Sequence, residues 1–258
     1  MKEIKQKRLL DMVRFIELHK VVSLEEISRE FDVSMNTVRR DVNELLENGS
    51  IVKVHGGVMF KSSESAKPEI AHYPSRAAQN LEGKQRIGML AAQLVEDGDT
   101  VFVDSGSTTA ELINPEFLKK KVMMVVSNSL PVFERLKDEE NLRVYALGGI
   151  YVPNAHAFTG GKAVREIADM IISKAFLGAS AVDGYFGVSN NLSYEIDLKR
   201  AVAEQAEKVI LMVACDKIGK TAAMKICATD RLYAIVTDRK PEPEMLAVFE
   251  ENGVKVIY

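Results

Sequence analysis

The sequence predicts two domains: an N-terminal winged helix-turn-helix, then a Rossmann-like, mostly parallel α/β domain. Three observations point there. Up to about residue 60, apolar residues recur at helical spacing in three short segments, which give way to two β-prone runs around a Gly-Gly turn. Residues 61–79 are polar, carry two prolines and lack periodicity. From Leu81 onward short apolar runs alternate with helix-like segments. The expected organisation is therefore 1–60 headpiece, 61–79 linker and 80–258 α/β domain.

In chain order, Leu9, Met12, Val13 and Ile16 give the first helix its apolar face. Ser23 with Glu26 three residues on is a capping-box pattern opening a second helix, whose Leu24, Ile27 and Phe31 face inward. Asp32 and Val33 form a tight connection to Ser34, the expected N-cap of a third helix. That helix buries Val38, Val42, Leu45 and Leu46. It leaves Asn36, Thr37, Arg39, Arg40 and Asn43 on its remaining surface. Arg and Asn can each bond a base edge through two atoms, so this face suits a DNA major groove. The hairpin around His55-Gly56-Gly57 is the expected wing. Lys53 would reach the DNA backbone or minor groove from it, and His55 is either a contact or a plain turn residue.

In the second region the apolar runs are 100–103, 122–126, 143–147, 175–177, 209–213, 232–236 and 254–257. Helices are expected near 84–95, 108–117, 130–137, 163–172, 193–208 and 243–251. In such folds ligands sit beyond the carboxyl ends of the strands. The first such end is Asp104-Ser105-Gly106-Ser107-Thr108-Thr109. Gly106 allows a sharp turn, the hydroxyls are donors, and a helix start would favour a phosphate. A capped strand-to-helix turn would look the same. Further ends at Ser127-Asn128-Ser129, Gly148-Gly149 and Gly178-Ala179-Ser180 leave room for a small hydroxylated ligand.

Composition narrows the function classes. The 258 residues are 47% hydrophobic and 28% charged, with a net charge of −3. DNA binding would then rest on local placement, with Arg39, Arg40 and Lys53 toward phosphates and Glu25, Glu26 and Glu30 away. Two cysteines and four histidines without metal spacing predict reduced core thiols, no metal and no cofactor. No apolar run approaches the length of a membrane span and no signal-like start is present, so a cytoplasmic protein with no membrane partner is expected.

The headpiece motifs resemble the DeoR family of bacterial transcription regulators. They run Ser23-Leu24-Glu25-Glu26-Ile27, Phe31, Val33-Ser34, Thr37-Val38-Arg39-Arg40-Asp41 and His55-Gly56-Gly57. The second region resembles that family's effector domain, which is related in fold to ribose-5-phosphate isomerase. The matching pieces are Arg76, Lys84, the 104–109 loop, Ser127-Asn128-Ser129, Gly148-Gly149, Phe158 with Gly160, Phe176-Leu177-Gly178, Gly187-Val188-Ser189, Lys199, and Lys217 with Gly219. The resemblance implies a repressor of sugar or polyol catabolic genes, binding double-stranded operator DNA as a dimer or tetramer. A phosphorylated sugar or polyol would relieve it, with the 104–109 loop holding the phosphate and Asp104, Asn128, Lys199 and Lys217 around it. Gly148 and Gly149 would border the ligand.

Two departures stand out. Ser180-Ala181 replaces an Asp-Gly pair, with Asp183 following later, and Asp216 is adjacent to Lys217 where the family has an Asp three residues before. Lys199 also has a second reading, as a surface ion pair with Glu195 four residues earlier. The competing function is a sugar-phosphate isomerase with an appended helical domain. It would need a placed carboxylate base, and no paired arrangement is legible.

Overall fold

The computed structural model describes residues 8–9, 11–13, 15–16, 19, 21–47, 51–54, 57–60 and 72–258. The chain divides into two compact units, Met1–Ile70 and Ala71–Tyr258.

In the first unit, the described residues between 8 and 19 are helical (α1). Then come β1 (Val21–Val22), α2 (Leu24–Glu30), α3 (Met35–Glu47), β2 (Ile51–Val54) and β3 (Gly57–Phe60). The capping box is formed: Glu26 N donates to Ser23 Oγ at 3.2 Å and Ser23 N to the Glu26 carboxylate at 2.7 Å. Between α2 and α3, Asp32 adopts a left-handed φ of 46°. Ser28 Oγ closes the turn on the Val33 carbonyl at 2.7 Å. Leu9, Met12, Ile16, Ile27, Val38, Val42 and Leu45 form one core with Val22, Ile51 and Val58. The wing is larger than the sequence implied, because β1 pairs antiparallel with β3 and makes three strands in the order β1-β3-β2. A two-residue strand carries no alternation, so nothing in the sequence marks it.

The second unit opens with α4 (Tyr73–Ala78), which the sequence reading had left in the linker, and α5 (Leu81–Ala92). Pro74 in its first turn starts α4 without needing apolar periodicity. There follow β4 (Thr100–Val103), α6 (Pro115–Leu118), β5 (Met124–Ser127), α7 (Leu130–Leu136), β6 (Val144–Ala146), β7 (Ile150–Val152), β8 (Ala157–Thr159) and α8 (Gly161–Ala168). The chain continues with β9 (Lys174–Leu177), β10 (Ala181–Asp183), β11 (Gly187–Asn190), α9 (Ser193–Gln205), β12 (Lys208–Met212), β13 (Met224–Cys227), β14 (Leu232–Val236), α10 (Pro243–Glu251) and β15 (Lys255–Ile257). The seven expected runs form one seven-stranded sheet, ordered β15-β14-β12-β9-β4-β5-β6, and every pairing in it is parallel.

Alternation along the strands splits the core into two layers. Phe102, Val126, Ala175, Leu177 and Leu211 pack on α8 and α9. Val101, Val103, Val125, Phe176 and Ile210 pack on α5 and the segment after β4. Going along the chain, β4, β5 and β6 add toward one edge, while β9, β12, β14 and β15 add toward the other. The direction therefore reverses between β4 and β9, and a crevice at their carboxyl ends is where such sheets take ligands.

The helix expected over 108–117 is not continuous. Residues Thr109–Leu112 form a single 3₁₀ turn, and α6 begins afresh at Pro115, capped by Asn114 Oδ1, which accepts from Glu116 N at 3.0 Å. Proline has no N–H to continue a helix. Gly88 of α5 lies against this turn, and a Cβ there would stand 2.1 Å from the Glu111 carbonyl oxygen. Gly88→Ala should therefore push α5 away and cost about 1–3 kcal/mol in a urea melt. A variant as stable as the parent would refute that packing.

Candidate DNA face and effector pocket

On α3, Ser34, Asn36, Arg39, Arg40 and Asn43 are exposed, while Thr37 is half-buried. Ser34 Oγ accepts from Thr37 N at 3.4 Å, a long version of the expected cap. Lys53 is exposed on β2, and His55 lies outside the described residues. Glu25, Glu26 and Glu30 are exposed on α2. Asp41 is 1% exposed and accepts from Arg8 Nε at 2.8 Å, so it ties α1 to α3 and does not face solvent. That tie holds α3 in place with Arg39 and Arg40 outward. The sequence reading gave Asp41 no role, because its partner lies 33 residues away.

In the second unit, Asp104 and Lys199 are both buried and form an ion pair at the β4–β9 switch point. Gly178 N donates to Asp104 Oδ2 at 2.9 Å, and Lys199 Nζ donates to the Gly178 carbonyl at 2.8 Å. Glu195 is a second partner of Lys199 at 3.3 Å and accepts from Asn190 Nδ2 at 2.9 Å. Burial acts to lower the Lys199 ammonium, but the Asp104 and Glu195 carboxylates prevail and hold it above its ordinary value. The i,i+4 pair with Glu195 is thus real but buried, which corrects the surface reading. The three donors of Lys199 are filled by protein atoms, so Lys199 and Asp104 knot the strand ends together and leave no donor of Lys199 for a ligand.

The 104–109 loop also differs from expectation. Gly106 has no left-handed φ. A Cβ there would stand 3.0 Å from Thr109 Oγ1 and 3.8 Å from the Gly178 Cα, so glycine serves close approach. Thr109 Oγ1 is directed at the carbonyls of Asp104 and Gly106, at 2.7 and 2.8 Å, and staples the loop. With only a 3₁₀ turn following, a helix dipole contributes little. Ser105, Ser107 and Thr108 are buried, and Ser105 Oγ has no hydrogen-bond partner among the described residues.

At the next strand end Asn128 is 3% exposed. Its Nδ2 donates to the Phe158 carbonyl at 2.8 Å, and its Oδ1 has no partner among the described residues. Gly148 is half-buried near Lys162. Gly149 is exposed, and its φ of 149° lets β7 run within reach of the Thr159 carbonyl, where a Cβ would stand 2.3 Å away. Its glycine is explained by the β7–β8 hairpin and not by a ligand.

Positive charge gathers here. Lys217 lies on a 3₁₀ turn (Cys215–Lys217) after β12 and donates to the Ala179 carbonyl at 3.1 Å. Burial presses its ammonium below the ordinary value, and Arg76 and Lys199 press it further against the opposing pull of Asp216. Lys84 of α5 is 7% exposed and donates to the Arg76 carbonyl. Burial, then Lys217 and Arg76, lower it likewise. At the amino end of the strands Lys174, the first residue of β9, is just as buried but is neutralised by Glu96 at 2.5 Å and Asp99 at 2.8 Å. Arg76 and Lys84 were parts of the family resemblance but were not expected contacts. Their clustering needs α4 and α5, and α4 has no periodicity.

Asp183 Oδ1 accepts from Tyr185 N and Phe186 N at 2.9 and 2.8 Å and shapes the β10–β11 turn. Asp216 is exposed beside the half-buried Lys217. Because this segment is a 3₁₀ turn, strand alternation does not apply to it.

A family model described as the DeoR-like helix-turn-helix domain matches residues 8–64, and one described as the DeoR C terminal sensor domain matches residues 79–239. The chain is 31% identical to the HTH-type transcriptional regulator IolR of Bacillus subtilis over 98% of its own length and 99% of the relative's. It is 28% identical to the glycerol-3-phosphate regulon repressor of Escherichia coli, over 95% of each. Ribose 5 phosphate isomerase A from Neisseria gonorrhoeae, a solved structure, is 20% identical over 52% of each chain, with a TM-score of 0.38.

Proposed function

This chain belongs to the DeoR family of transcriptional regulators, and from that premise we propose how it works. It is a DNA-binding regulator and not an enzyme, as its relatives are. That removes the isomerase alternative. Our reading is that it represses genes of sugar or polyol use, in the cytoplasm, and is released by a phosphorylated sugar or polyol. Asn36, Arg39 and Arg40 would read bases, with Ser34, Thr37, Lys53 and His55 on the backbone or groove edge.

The observation that carries the effector half is the cationic group formed by the buried Lys84 and the half-buried Lys217 beside Arg76. Neither lysine is ion-paired among the described residues, and both donate to carbonyls instead. Keeping such charges together in a low-dielectric site is costly without an anion, and a phosphate monoester would offset that cost. Release needs two states with different effector affinity. Paired half-sites need two headpieces, so a homo-oligomer, a dimer or tetramer, completes the proposal.

A gel-shift titration on DNA upstream of its own gene, with and without sugar phosphates, tests this. Sequence-selective binding weakened by a phosphate ester is the expected result, and binding indifferent to sequence would defeat it.

The lowered ammonium groups also give the effector a pH signature. A bound dianion favours the charged lysines, so binding restores protons that the free chain gives up below lysine's ordinary 10.5. Affinity should therefore begin to fall below that value as pH rises toward it, with proton uptake on binding. On the acid side it should fall again near pH ~6, where a phosphate monoester loses its second charge. Calorimetry of glycerol 3-phosphate from neutral pH up to lysine's ordinary 10.5, in buffers of different ionisation enthalpy, would measure it. Affinity that stays flat all the way to that value would refute the role of the lysines, and Lys217→Gln should flatten the alkaline limb.

A further inference from the structure

Four buried polar atoms near the cationic group make no hydrogen bond among the described residues: Ser105 Oγ, Asn128 Oδ1, Ser129 Oγ and Tyr194 OH. Buried polar groups are normally paired, and an unpaired set in one place asks for a reason. Their arrangement is built. Ser105 and the Asn128-Ser129 pair follow the neighbouring parallel strands β4 and β5. The next contacts come from β8: the Phe158 carbonyl accepts from Asn128 Nδ2, and Thr159 Oγ1 donates to the Tyr194 carbonyl. One strand thus holds both Asn128 and the start of α9. Ser105, Asn128 and Ser129 are at most 3% exposed.

The chemistry of Asn128 is decisive. The Phe158 carbonyl can only accept, so it fixes the amide with Nδ2 toward β8 and leaves Oδ1 as a pure acceptor. A phosphate dianion has no proton to give it. Asn128 Oδ1 requires a donor, and a ligand hydroxyl supplies one. Tyr194 OH can both donate and accept.

We propose that Asn128, Ser129, Ser105 and Tyr194 form a hydroxyl-reading half of the pocket, and that Tyr194, which nothing in the sequence singled out, is a specificity-determining residue within it. The proposal rests on the effector-site reading above and deepens it: the cations take the anion, and this half selects a polyhydroxylated carbon chain over a bare phosphate ester. Burial and the Glu195 carboxylate hold the Tyr194 phenol above its ordinary value, against Arg76 and Lys199, so it keeps its proton.

The test uses the full chain in thermal-shift and calorimetric titrations with ethyl phosphate, glycerol 3-phosphate, sorbitol 6-phosphate and sorbitol. The parent should favour the hydroxylated phosphates over ethyl phosphate. Tyr194→Phe should lose affinity for them on the order of tenfold and bind ethyl phosphate unchanged, while Lys217→Gln should weaken all three esters. A second readout needs no ligand. An unpaired buried hydroxyl does not stabilise a fold, so Tyr194→Phe and Ser129→Ala should melt at or above the parent temperature. A lowered melting temperature for both variants would show that the hydroxyls serve the fold, and would overturn the proposal. So would equal affinity of parent and Tyr194→Phe for sorbitol 6-phosphate, or no binding of any hydroxylated probe. If sorbitol alone binds, dependent on Tyr194, the phosphate reading falls and this one stands.

Discussion

Replacing Lys199 by methionine should destabilise the second unit by about 3–5 kcal/mol, the usual cost of removing one partner from a buried ion pair. Methionine fills much of the same volume, so the loss is electrostatic. Asp104 and Glu195, both buried, would be left at the switch point without their cation. The loop would also lose the Lys199 bond to the Gly178 carbonyl.

For a unit of this size that loss corresponds to a melting temperature lower by roughly 6–20 °C. The sign with pH is specific. In the parent, the raised Lys199 value means its contribution is intact below lysine's ordinary value and is lost only when pH climbs past the folded one. Adding Asp104→Asn and Glu195→Gln to Lys199→Met should recover part of the loss. A single variant melting within about 2 °C of the parent would mean the pair is not the knot described above.

The second large effect is on DNA. Arg40→Ala should weaken operator binding by about 1–3 kcal/mol and relax preference at one base position. Arg40 is exposed and Asp41 beside it is buried, so the unfolding of the headpiece should not change. A uniform loss across sequences, with a salt slope shallower by about one, would make Arg40 a phosphate contact instead. No loss on any sequence would remove α3 as the reading helix.

The two units differ in how their function could be read. In the headpiece, apolar spacing placed Val38, Val42 and Leu45 inward, and the remaining face followed by subtraction. In the α/β unit, short apolar runs marked all seven strands of the main sheet; the inner strands are apolar because they are buried on both faces, while the edge strand β6 is exposed and the edge strand β15 partly so. The small strands escaped. β7 and β8 are three residues each, and β10 and β11 hold mixed residues, so neither length nor alternation marks them. The break at Pro115 was visible in the residue itself but was overridden by the apolar spacing around it.

The proposed effector site was legible as a set of strand ends but not as a set of roles. Gly, Ser and Asn at several strand ends pointed to the carboxyl ends of the main sheet. Which polar atoms are spent and which are spare could not be read. Thr109 and Lys199 are occupied by the protein, while Asn128 Oδ1 and Tyr194 OH have no partner among the described residues.

What the order of residues determined by itself is local: helices and strands from periodicity, caps from Ser, Asn and Pro, and the outward face of α3 from what must be buried. Tertiary structure alone decided the pairings. Asp104 meets Lys199 across 95 residues of chain, and Arg76 on α4 acts electrostatically on Lys217, which follows β12, although the two are far apart in sequence. Periodicity reports a residue's own environment, whereas a charge or hydroxyl acquires its role from a partner that strand order, and not sequence distance, brings to it.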